Sequence, residues 1–350
     1  MSAARGIRVE RWTPVSVSAT TTGAALLVAL AFGPVLLGAN ALDKLTELYV
    51  YVILAAMWNA LAGYAGLVSV GQQAFFGLGA YAAVQLSKHG VNVYLALALA
   101  GLVAGAVSLP TSFFVLRLRG GEFAIGMWVV AEVFHLLVNL DHSVGGVTGT
   151  SLIALSRYDP SDRRRYTYWL ALACMGILLA AVFLLLRSRL GASMRAIRDD
   201  ERAADSVGVR VLRAKLVVYV LAAIGGGAAG AVWLAGQLTY QPNSFFSVQW
   251  TAYMLFMALV GGLGTFEGPI IGAVIFFVVQ DQFGQHGVWY LVGLGTAAVL
   301  FALLLPRGLW GTVEDRLGIR LLPVGYRVRR VGGGSSGLPR AEPVEVGRET

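Results

Sequence analysis

Ionisable and amide side chains are scarce in this chain, so the few inside apolar runs are the first place to look for chemistry. Glu132 and His135 lie three residues apart within one such run, on one face of a helix. An E-x-x-H pair serves a metal only with a second pair and further carboxylates. The chain has no second pair, so the reading preferred here is a polar patch facing the interior of a bundle. Asn59, Ser69, Gln72 and Gln73 form a second group, in the stretch NALAGYAGLVSVGQQAFFGLGAY. An amide in hydrocarbon is costly unless paired. Two readings stay open for this stretch: helix packing through small residues, or a broken helix lining a translocation path that would take in Asn59, Ser69, Gln72, Gln73 and Glu132. Its breaks are Gly63, Gly66 and Gly71. A second Gly-rich interruption, GGLGTFEGPIIG, carries Gly261, Gly262, Gly264, Gly268 and Pro269. Paired interruptions in a transporter mark a pathway, and a repeat relating these two is only a possibility at this point. None of Lys44, Lys88 or Lys215 stands in a G-x-x-x-x-G-K-[ST] context, so the chain has no phosphate loop of that kind.

The most polar segment is 187–215, RSRLGASMRAIRDDERAADSVGVRVLRAK. Between apolar blocks, such a loop belongs in water. Asp199, Asp200 and Glu201 suit a helix N-terminus. Ala203, Ala204 and Val207 then make a narrow apolar stripe, flanked by Arg195, Arg198 and Arg202, and Gly208 supplies a stop. The stripe is too small to hold a domain together. It is the right size to fill a groove on a soluble partner.

The elements that must position these residues are membrane helices. Of 350 residues, 57% are hydrophobic and 13% charged, with mean hydropathy +0.70. A soluble domain carries about 25% charged residues. About 20 apolar residues span the hydrocarbon core. The candidate spans are near 16–39, 46–63, 70–87, 92–116, 122–140, 166–186, 215–236, 249–263, 269–283 and 288–305. The two short ones could be crossings, a re-entrant pair or one kinked helix, so eight to ten are expected, with ten preferred. The first stretch reads as a retained span rather than a cleaved signal.

Ten spans place Arg5, Arg8, Arg11, Arg117, Arg119, the loop 187–215 and the segment from Arg307 on one side. Lys44, Lys88, Arg157 and Arg163 to Arg165 fall on the other. The positive-inside rule then sets both termini in the cytoplasm. Net charge +8 reflects this bias rather than a nucleic-acid surface. The expected layout is an N-terminal segment 1–15, an all-α transmembrane domain 16–311 and a largely disordered cytoplasmic tail 312–350. Cys174, the single cysteine, excludes an intramolecular disulfide. Asp281 and His286 fall near the outer interface, where water accounts for them. No nucleophile, base and orienting group come together, so the chain is not read as an enzyme, and no cofactor is expected.

The pattern E-x-A-A-x-x-x-G, at Glu201, Ala203, Ala204 and Gly208, resembles the coupling loop of ABC importer permeases. The stretches 63–81, 116–126, 144–149, 195–209, 261–273 and 306–311 resemble the branched-chain amino-acid permeases in order along the chain. Leu67 and Gln73 depart from the family's usual Gln and Ala, which bears on the cargo. The resemblance implies a multi-pass bacterial inner-membrane protein with a docking helix for an ATPase. Arg195, Arg198, Glu201, Ala203, Ala204 and Gly208 would carry that coupling. It also implies a second homologous permease, two ATPase subunits and an extracytoplasmic binding protein. The cargo would be branched-chain amino acids, with urea, amides or aromatic acids as alternatives. The rival mechanism is an ion-gradient-driven secondary transporter, for which Glu132 and His135 are the candidate relay.

Overall fold

The computed structural model describes residues 6–10, 14–305, 307–317 and 327–331. In chain order these form β1 (Gly6–Glu10), α1 (Pro14–Ala31), α2 (Gly33–Leu36), α3 (Ala39–Asn59, prolonged by a π turn Ala60–Tyr64), α4 (Gln73–Lys88), α5 (Val93–Val115) and α6 (Gly121–Asn139). There follow β2 (Thr150–Ser151), α7 (Pro160–Arg187), α8 (Arg189–Asp199), α9 (Glu201–Ser206), α10 (Val211–Gln237), β3 (Thr239–Tyr240) and α11 (Pro242–Phe245). The last described elements are α12 (Gln249–Gly261), α13 (Gly268–Phe283), α14 (Val288–Leu304), α15 (Gly308–Leu317) and β4 (Arg327–Val331).

The chain is an all-α polytopic bundle, and every expected span contains a helix. Seven helical stretches are long and apolar enough to cross a membrane. Helices α1, α4 and α13 fall short of that length. α4 is preceded by the non-helical segment 66–72, which is largely buried in protein. Non-helical backbone is tolerated at membrane depth only when protein or a water-filled cavity surrounds it.

Long-range contacts define two ends. At one, Lys44 pairs with Asp281 and Arg164 with Asp43, and Lys88 donates to the Ser143 carbonyl. At the other, Arg198 reaches Gly63 and Glu201 reaches Lys215. The stretch 249–283 holds two separate helices, α12 and α13, and not a single kinked helix. Gly261 packs on the Gly268 carbonyl, Gly272 on the Met257 carbonyl and Tyr253 on Phe276, contacts that spread from the turn as in an antiparallel hairpin.

Helices α3 and α10 form the centre. Burial covers 83% of the most apolar part of α3 but 22% of α6 and 11% of the α14 stretch, whose apolar side chains therefore face outward. α10 approaches α4 and α5 through small residues. A methyl on Gly79 would overlap the Gly227 backbone. In lipid, where apolar surface gives no extra drive between helices, such close approach supplies the contact energy.

Several boundaries differ from expectation. α7 begins at Pro160, with proline at the first turn, where its missing N–H costs nothing. Arg163 to Arg165 therefore lie on a helix, and Arg164 holds Asp43 at 2.8 Å. α10 begins at Val211, so Lys215 lies inside the helix and is buried rather than in the aqueous loop. The Gly-rich segment 145–149 packs on the α10 terminus through β2 and β3, and a methyl on Gly149 would overlap the Tyr240 carbonyl. β1 pairs antiparallel with β4, Gly6 opposite Val331, so residues 327–331 of the segment read as disordered form a strand. Residues 318–326 and 332–350 of that segment, and Pro306 of the 306–311 stretch, lie outside the described residues.

Candidate functional site

The segment 188–210 folds as two short helices, α8 and α9, that meet at Asp200. Ser188 caps α8 by accepting from the Leu190 amide at 3.1 Å. Asp200 caps α9, accepting from the amides of Arg202 at 2.8 Å and Ala203 at 3.0 Å. These bonds satisfy amides that a helix start leaves free. Gly208 ends the unit at φ +85°, where other residues are strained. The expected helix thus exists, starting at Glu201.

Its apolar stripe divides. Ala204 is buried against the bundle, while Ala203 and Val207 face out, Val207 at 77% exposure. Glu201 faces inward as well. One oxygen accepts from the Lys215 ammonium at 2.7 Å, and the other lies 3.5 Å from Arg119. Glu201 thus fastens α9 to the base of α10 and to the turn between α5 and α6.

Arg198 is the second fastening. Its Nη1 donates to the Gly63 carbonyl at 2.8 Å, and its Nε and Nη2 donate to Asp199. Asn59 sits one turn before Gly63 and bridges both glycine-rich breaks. Its Oδ1 accepts from the Gly264 amide and its Nδ2 donates to the Thr265 carbonyl, each at 2.8 Å. A methyl on Gly63 would overlap Asn59 and the Gly264 amide. The two breaks are therefore one packed joint, with the α8 end resting on it. Arg195, on α8, also has an interaction partner.

The residues expected along a path divide in the same way. Asn59 belongs to the joint. Ser69 is buried, its carbonyl accepting from Trp58 at 2.9 Å and its hydroxyl from the Gly71 amide at 3.3 Å. Gly71 packs on the Met127 carbonyl of α6. Gln73 is bonded by Thr251 of α12. Gln72 is fully buried, and neither amide atom has a hydrogen-bond partner. Glu132 does not face the bundle interior. It is exposed on α6, beside a half-buried His135 that contacts Asn243 at 2.8 Å. The helix period puts both on the same face, but α6 turns most of that face outward. Gly261, Gly262, Gly268 and Pro269 shape the tight turn before α13, with Thr265 accepting from the Gly268 amide at 3.1 Å.

Sequence reasoning missed Lys215, Arg119, Thr251 and Thr265. Lys215 carried a usable signal: a lysine one helical turn into an apolar run needs a carboxylate, and Glu201 lies nearby in sequence. It also missed a polar cavity of about 440 Å³ at the opposite end, lined by Asp43, Lys44, Glu47, Arg163, Arg164 and Asp281 among others. Glu47 accepts there from Tyr51 at 2.7 Å. Asp281 and His286 are exposed at this end.

The family described as "Branched-chain amino acid transport system / permease component" matches residues 40–306. The chain belongs to this family. It is 30% identical over 323 residues to the high-affinity branched-chain amino acid transport system permease protein LivM of Salmonella typhimurium, covering 85% of this chain and 76% of that one. The LivM of Escherichia coli is 29% identical with the same coverage. A more distant likeness, 29% over 138 residues and 37% of this chain, is to the Escherichia coli ribose import permease RbsC. No solved structure matches. As a permease component, the chain is a membrane transport protein, and the matched region contains both glycine-rich breaks and α8–α9.

Proposed function

We propose that this permease carries branched-chain amino acids or related small polar molecules inward across a bacterial inner membrane, as the membrane subunit of an ABC importer. The end bearing α8 and α9 faces the cytoplasm, because the basic residues concentrate there. ATPase subunits seat α9 in a groove, with Ala203 and Val207 as the inserted apolar pair. A homologous permease completes the membrane pair, and an extracytoplasmic binding protein delivers cargo to the end carrying Asp43 and Asp281. The likeness to the LivM branched-chain amino acid permeases supports the amino-acid class of cargo.

The observation that carries this reading is the Arg198 link. A docking helix is useful only if its displacement reaches the gate. Through Arg198 and Gly63, displacement of α8–α9 reaches the joint where both interruptions meet. Coupling of this kind needs two global states that differ in their contacts with the partner. Glu201 and Arg198 act as the rigid attachments, whereas Ala203 and Val207 are the contact surface.

The test is uptake into vesicles holding the assembled importer. Val207→Asp inserts a charge in the contact surface without touching the bundle. Expected is loss of ATP-driven uptake and of ATPase co-purification, with the permease still inserted. Uptake that survives ATP depletion but collapses with the proton gradient would instead assign the chain to secondary transport.

A further inference from the structure

Beside α9 lies a cup that the coupling reading leaves unused. Its cavity of about 840 Å³ is lined by Leu116, Arg117 and Arg119 from the α5–α6 turn, Glu201, Arg202 and Asp205 from α9, and Arg210 to Arg213, Lys215 and Leu216 from the start of α10. Six cations face two carboxylates. Glu201 is committed to Lys215 and Arg119. Arg117 lies over the Phe113 ring at 4.0 Å. Arg202, Arg210 and Arg213 make no ion pair among the described residues.

The wall above the cup is apolar and uncovered. Leu109, Phe113 and Phe114 of α5 and Leu212 of α10 are each more than half exposed. The two helices are held together here by the Thr111–Tyr219 hydroxyl contact at 3.1 Å. A soluble anion would use the cations and leave this wall bare. A ligand with an anionic head and hydrocarbon chains satisfies both. The cup also lies where α5 ends and α10 begins, the depth at which lipid headgroups sit.

We infer that this cup binds the headgroup of an anionic phospholipid, whose acyl chains lie along Phe113, Phe114 and Leu212. Arg210 and Arg213 hold the phosphate, and Arg202 ties the same headgroup to α9. The bound lipid then anchors α9 to the membrane surface and sets where the coupling helix stands. Basic clusters at the cytoplasmic ends of helices recognise anionic lipids through such charge. This inference rests on the membrane reading of the chain, not on its cargo or its energy source.

The experiment reconstitutes the full chain in nanodiscs of equimolar phosphatidylcholine and phosphatidylglycerol, transfers it to detergent and counts retained lipid by native mass spectrometry. Phosphatidylglycerol is expected to stay in preference to phosphatidylcholine. At about 1 kcal/mol for each arginine near an anionic surface, R210Q/R213Q retains about thirtyfold less. R210K/R213K, which keeps the charge, retains the lipid and controls for folding. Excess inorganic phosphate leaves the lipid in place. A fall smaller than about fivefold in R210Q/R213Q overturns the inference. So does displacement by inorganic phosphate, which would make this a soluble-anion site. Loss of the lipid when the ATPase assembles overturns it too, because the cup would then be the seat of the ATPase. The lipid count involves no transport, so failure here leaves the permease reading standing and the converse also holds.

Discussion

Removal of the Glu201 carboxylate tests whether α9 is fastened from below. Lys215 has a side chain only 3% exposed and 2.7 Å from Glu201. Breaking a buried ion pair from one side costs roughly 3–5 kcal/mol, because the remaining charge is left without a partner. Glu201 is 25% exposed, so water and Arg119 temper that figure, and about 2 kcal/mol is expected for Glu201→Ala. Lys215→Met leaves Glu201 near Arg119 and partly in water, costing less than about 1 kcal/mol. The double variant removes the stranded charge and recovers most of the loss. Thermal melting of the purified chain in detergent reads this as about 2 °C per kcal/mol. The expected fall is then about 4 °C for Glu201→Ala, with the double variant within about 2 °C of wild type. If Glu201→Ala, Lys215→Met melts no higher than Glu201→Ala, the two side chains are not coupled and the fastening argument fails. Glu201→Lys places two ammonium groups together and is expected to abolish uptake while the chain still inserts.

Other outcomes follow from single contacts. Gly63→Ala would press a methyl into Asn59 and the Gly264 amide and destabilise by about 1–3 kcal/mol, whereas Gly176→Ala, with open space around it inside α7, does not lower the melting temperature. Arg198→Ala is expected to leave ATPase co-purification intact yet uncouple ATP hydrolysis from uptake; loss of both activities together would argue for a folding role alone. Val207→Asp shows the opposite pattern, because an exposed substitution shifts stability by less than about 0.5 kcal/mol. At the other end, the hydrogen bond from Tyr81 and then that from Ser143 hold the Asp141 carboxyl below the usual carboxylate range. A depressed value means stability that is present above the ordinary carboxylate pKa and is lost as pH falls through the depressed one. Tyr81→Phe therefore moves the acid-induced opening of residues 141–149 to higher pH, read by hydrogen exchange; no movement would show that Asp141 does not hold that loop.

Much of the molecule was legible without its structure. Ten apolar stretches of near-membrane length declare their class because hydrocarbon admits little else, and each became a helix. The start around Asp199 to Glu201 and the stop at Gly208 were readable because acidic residues at a helix N-terminus and a glycine stop are local requirements, settled within a few residues. The Glu132–His135 face was also readable as a face, since helix period alone sets it.

What folding decided was the far partner of each polar group. Whether Glu201 points at a soluble subunit or at Lys215 depends on how α10 lies against α9. Whether Asn59 lines a channel or closes a joint depends on a turn some 205 residues later in the chain. Glu132 has the right period for the interior, yet α6 presents that face outward because α4 covers its other side. Sequence records hydrophobicity and local backbone preference, which act over a turn or two. The destination of a charge or an amide is set by which distant backbone arrives within 3 Å of it, and that is a property of the packed bundle alone.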